Sequence, residues 1–106
     1  MSGLKTITKD ENRLDNVHPG DILREDFLVG STIAVTEVAQ GAGIEARLIQ
    51  MLLDGKTSVD ANTDIRLARY FGISEGFFLG LQIDYDLEEE RRAHGAELDR
   101  IVRRAA

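Results

Sequence analysis

A chain of 106 residues holding 42% hydrophobic residues is long enough to bury one modest core without covalent staples. It contains no Cys, which excludes disulfides and thiolate metal sites and fits a reducing cytoplasm. Its formal charge of -6 argues against indiscriminate nucleic-acid binding and suits a basic protein partner, so any DNA contact must come from a local patch on a dimer or from help by a partner. The sequence has neither a signal-peptide pattern nor a long apolar run, so the expectation is a cytoplasmic protein with no membrane contact.

Residues 1–17 are polar and of mixed charge, and read as a loose N-terminal arm with a short extended piece at Leu4–Thr8. His18-Pro19-Gly20 opens the first helix, because Pro19 suits the first helical position, where its missing N–H costs nothing. His18 supports that start. Ile22, Leu23, Phe27 and Leu28 form the apolar face, and Gly30 and Ser31 end the helix. A second, short helix covers about Val35–Ala42, and Gly43 stops it with the left-handed backbone that only Gly adopts cheaply. The third covers about Glu45–Leu53 with Leu48, Ile49 and Leu52 inward, and Gly55 stops it. The fourth covers about Asp60–Phe71 and buries Ile65, Leu67, Ala68 and Phe71 before Gly72. Ser74 caps a fifth, from Glu75 toward Glu90. Gly95 then breaks or kinks the tail, with Leu98, Ile101 and Val102 marking a further turn or two. No run alternates with period two, so the class is all-α. The expected organisation is an arm at 1–17, a DNA-binding domain at 18–92 and a C-terminal helical tail at 93–106.

Residues 35–54 carry the chemistry. Ala39 is small where two helices must cross, Gly43 turns the chain four residues later, and Val38, Ala42, Ile44, Ile49 and Leu52 share an apolar seam. This spacing predicts a helix-turn-helix, whose second helix lies in the major groove. Its outward set is Glu45, Ala46, Arg47, Gln50 and Met51, with Arg47, Gln50 and Met51 stacked on one face. Arg47 suits guanine O6/N7 and Gln50 adenine N6/N7. Ala46 or Met51 suits a thymine methyl, and Glu45 can accept from cytosine N4. Any helical bundle offers a Gly-terminated helix pair with an exposed Arg, so the spacing alone leaves DNA binding and plain packing both open.

The other candidates carry less. Neither His18 nor His94 has carboxylates at metal-ligand spacing, so no metal and no cofactor are expected. The acidic run 84–90 (DYDLEEE) falls around a helix without the turned loop that calcium needs, and reads as a solvated face or a contact for a basic partner. Gly-Lys-Thr at 55–57 closes a helix instead of opening one, so it is no phosphate loop. No nucleophile–base pair is evident. The chain is not expected to be an enzyme or to take a small-molecule substrate.

"HPGDILREDFL" (18–28), "LARYFGIS" (67–74) and "FFLGLQIDYDL" (77–87) flank this unit in order. Over about 18–87 the chain resembles the HigA-type antitoxins of the lambda-repressor-like (XRE) helix-turn-helix class. The resemblance implies a five-helix domain, a homodimer on operator double-stranded DNA, repression of its own operon, and neutralisation of a cognate HigB-type toxin, a basic mRNA endonuclease. The alternative within the class is a stand-alone transcriptional regulator without a toxin. Members usually begin the second helix with Ser-Gln to cap it and hold a phosphate, whereas this chain has Ala34 and Val35. Thr36 is therefore expected to cap a helix starting two residues late, and to hold a phosphate together with Lys56 and Thr57. Thr57 stands where Arg is frequent, Asp64 where a small residue is usual, and Phe78 where Trp is common. The homodimer is expected to use the C-terminal half, through Leu81, Ile83, Tyr85, Leu87 and the Leu98/Ile101/Val102 cluster. The arm and the first helix are the candidates for toxin contact.

Overall fold

The computed structural model describes residues 15–105, so the extended piece expected at Leu4–Thr8 and most of the arm lie outside the described residues. Contacts divide the described residues into two units, Val17–Tyr85 and a second made of 15–16 with 86–105.

Five helices and no strand form the described residues. Helix α1 begins as an α-helix over Pro19–Ile22 and continues as a π-helix over Leu23–Val29. The sequence predicts ordinary α geometry there; packing explains the departure. In a π-helix, hydrogen-bonded residues stand five apart, which brings Leu23 and Leu28 onto one face, and both are buried. The chain leaves the helical path at Thr32, with φ of 54°. His18 caps α1: its Nδ1 accepts from the Gly20 N–H at 2.9 Å, and Asp21 accepts from the His18 N–H at 3.3 Å. Because Nδ1 accepts, the ring proton sits on Nε2, which donates to the Thr57 carbonyl at 3.1 Å. The same ring meets Tyr85 edge-on at 4.9 Å. One histidine therefore joins the start of α1 to the loop after the third helix and to the fifth. Gly20 permits this closeness, since a Cβ there would lie 1.8 Å from the Leu52 carbonyl oxygen.

Helices α2 (Val35–Ala42), α3 (Ala46–Leu53) and α4 (Ala61–Phe71) follow, each within a residue of the expected bounds. Helix α2 starts at Val35, so Thr36 is not its cap: Ala34 takes that place, and Glu37 accepts from the Ala34 N–H at 3.0 Å. Val35 packs against the core, which is why an apolar residue serves there. Asp60 caps α4 by accepting from the Thr63 N–H at 2.8 Å. Ile65 is 37% exposed, not buried as expected, and lines an open pocket of about 460 Å³ with Tyr70. The core of this unit is Leu23, Val38, Ile49, Leu52, Leu67 and Phe78, with Phe27 packed between Phe71 and Phe78 at ring distances of 4.8 and 5.2 Å.

Helix α5 (Phe77–Leu98) starts later than expected and without Ser74 as its side-chain cap. Asp64, reaching from α4, does that work by accepting from the Gly76 N–H at 2.6 Å and the Leu79 N–H at 2.9 Å. Helix α5 kinks at His94 (φ -128°, ψ 22°), one residue before the glycine expected to break it. Beyond Leu98 only isolated turns continue, and residues 101–105 have no helix. In this second unit Asn16 donates to Glu89 at 3.0 Å and Arg92 pairs with Glu88 at 2.9 Å. No helix among the described residues is long and apolar enough to cross a membrane.

Candidate nucleic-acid interface

The turn between α2 and α3 is built from a short list of contacts. Gly43 adopts φ 69°, ψ 38°, and the N–H groups of Gly43 and Ile44 return to the Ala39 carbonyl. Both bonds fall on one carbonyl that the end of α2 would leave orphaned. Val38, Ala42, Ile44, Ile49 and Leu52, the predicted seam, are all buried. Arg66 of α4 adds a clamp that the sequence reading missed. Its Nη1 donates to the Ala42 and Gly43 carbonyls at 3.3 Å each, while its Nε donates to Asn62 at 2.9 Å. A cation at the last carbonyls of α2 also opposes the negative end of the helix dipole. The i, i+4 spacing of Asn62 and Arg66 was a visible signal for their pairing, but nothing in sequence pointed Arg66 at the turn.

Burying the seam turns the other face of α3 outward. Glu45, Ala46, Arg47 and Gln50 are exposed and Met51 is half-buried. The Arg47 side chain forms no hydrogen bond or ion pair among the described residues, nor does the side chain of Lys56, which is exposed beyond the end of α3. Glu45 occupies the position before α3 without a side-chain cap bond, leaving its carboxylate at the helix start. Gln50 is engaged, donating to Asp54 at 3.2 Å. Thr36 is exposed in the first turn of α2. Thr57 is half-buried, and its carbonyl accepts from His18 Nε2. The eight residues singled out from sequence thus sit on α3, on the first turn of α2 and in the loop after α3. Two guanidinium or ammonium groups, Arg47 and Lys56, are free to meet an anion, and Glu45 and Asp54 stand among them.

The dimer candidates fare differently. Tyr85 meets His18 edge-on and Leu81 packs against the core, so neither is a free surface residue. Ile83 is 51% exposed, Leu87 48%, Ile101 73% and Val102 87%.

No family model matches the chain. Virulence-associated protein I of Dichelobacter nodosus is 30% identical over 83 residues, which are 78% of this chain and 77% of that protein. Among solved structures, antitoxin HigA of Pseudomonas aeruginosa with the higBA promoter is similar at a TM-score of 0.79 and 28% identity, covering 87% of this chain and 100% of that one. An addiction-module antidote protein of the HigA family from Coxiella burnetii gives a TM-score of 0.78 at 29% identity, covering 85% of this chain and 98% of that one.

Proposed function

The chain belongs to the HigA family of antitoxins, and from that premise we propose that it binds the operator of its own operon through α2 and α3, represses that operon, and neutralises a cognate basic toxin of the HigB mRNA-endonuclease type. The observation that carries the DNA half is Arg47: a free guanidinium on the outward face of a helix whose inward face is fully committed to the seam. Arg47 takes guanine O6/N7, Gln50 an adenine edge, and Ala46 and Met51 thymine methyls. Glu45 accepts from a cytosine amino group. Thr36, Lys56 and the Thr57 hydroxyl hold phosphates, which fix register without reading sequence.

The chain acts as a binding protein in the cytoplasm, without catalytic chemistry of its own. Its net charge of -6 makes one helix-turn-helix weak on DNA, so two copies engage half-sites about one DNA turn (roughly 34 Å) apart. The same charge favours a basic toxin. On α1, Glu25 and Asp26 are exposed beside Val29, itself 61% exposed, and this mix of acid and apolar surface leaves α3 free for DNA. Coexpression with the small toxin encoded beside it tests the antitoxin role: growth is restored and the two proteins copurify. Operator binding without rescue or copurification would identify a stand-alone regulator instead.

A further inference from the structure

Helical residues three and four apart share a face, which sets Arg47, Gln50 and Asp54 in one exposed row along α3 and its end. Within that row the Gln50 amide nitrogen donates to an Asp54 carboxylate oxygen at 3.2 Å. Chemistry permits only one sense of this pairing. An ionised carboxylate offers acceptors and no donor, so the nitrogen of the amide must face it and the oxygen must face away. A primary amide nitrogen carries two N–H bonds, and Asp54 occupies one. With Asp54 on the N–H trans to the amide oxygen, the cis N–H stays beside that oxygen as an adjacent donor and acceptor. That couple complements adenine, which presents N7 as acceptor and N6 as donor, and mismatches guanine, whose N7 and O6 both accept. The reversed amide would carry the couple in the opposite order.

Asp54 is itself held in place. It ends α3 with φ -84° and ψ 0°, and its N–H donates to the Gln50 carbonyl at 3.0 Å. The carboxylate is exposed on a surface meant for phosphates, where its charge opposes binding. A Gln–Asp pair at this spacing adds little to helix stability.

We propose that Asp54 is a positioning residue that fixes the edge Gln50 presents to a base pair, and thereby sets preference at that position without touching a base. The inference rests on the reading that Gln50 contacts a base. Its signature is a change in preference separate from affinity, because removing the Asp54 charge strengthens binding to every sequence alike.

The test is a competition anisotropy assay with the full-length protein and the DNA upstream of its own reading frame, each position substituted by all base pairs. Gln50→Ala flattens preference at one position by roughly five- to hundredfold. Asp54→Asn, which can donate as well as accept and so holds either amide orientation, relaxes the same position while raising overall affinity. Asp54→Glu, still an acceptor only, keeps the preference. The double variant Gln50→Ala/Asp54→Asn loses no more preference than Gln50→Ala alone. If Gln50→Ala flattens a position and Asp54→Asn leaves it intact, the positioning role is overturned while the base contact stands. If Gln50→Ala alters no position, the contact is absent and the inference falls with it.

Discussion

Asp64 is a buried carboxylate, 2% exposed, with two backbone N–H groups at the start of α5 as its partners. It repays its burial by satisfying donors that an N-terminus leaves orphaned. Asp64→Ala is expected to leave these donors without partners and to lower unfolding free energy by about 1–3 kcal/mol in urea denaturation. Arg47 and Lys56 make opposite predictions from similar charges. Arg47→Ala removes the proposed base contact, with no basic neighbour on α3 to compensate. It is expected to cost about 1–3 kcal/mol per half-site and to relax preference at one base pair. Lys56→Ala is expected to weaken all sequences alike and to flatten the logarithmic salt dependence by about one unit of slope per half-site.

At the scale of the element, the termini decide what was legible. Asp60 caps α4, and its carboxyl is held below its ordinary value of 3.8, first by the Thr63 backbone N–H and then by the Thr63 hydroxyl. A folded-state value below the unfolded one means that this stabilisation is complete above the ordinary aspartate value and is lost as pH falls through the depressed one. The stability gap between the wild type and Asp60→Ala is therefore expected to narrow on acidification below about pH 4, measured as urea midpoints. Features of local origin, such as the Gly43 turn and the periodic apolar faces that meet at Val38, Ala42, Ile44, Ile49 and Leu52, could be read from pattern. Non-local ones could not. The start of α5 depends on Asp64, twelve residues upstream of Gly76, so local pattern placed it at Glu75 with Ser74 as cap. The π-helical part of α1 follows from which leucines the core accepts. The Ala34 cap is local, made by Glu37 three residues on, but an alanine without a capping side chain gave no signal of it. The outward set on α3 was legible from periodicity alone, whereas the Arg66 clamp on the turn came only with the tertiary fold.

At the scale of the molecule, two features call for a second copy. One reading helix carrying a single arginine has little grip on DNA, and Ile83, Leu87, Ile101 and Val102 expose apolar surface. The mass in solution at micromolar concentration is expected to be twice the 11.8 kDa of the chain, and Ile101→Glu/Val102→Glu to shift it toward the monomer and weaken operator binding together.

Sequence-specific binding through α3 is the central claim, and an anisotropy titration at fixed salt tests it most directly. Wild type and Arg47→Ala are each titrated against the DNA upstream of the chain's own reading frame and against the same DNA scrambled. The wild type is expected to prefer its own upstream DNA, and Arg47→Ala to lose much of that preference while remaining folded. Equal affinity of the wild type for both DNAs, or an unchanged preference in Arg47→Ala, would contradict the claim.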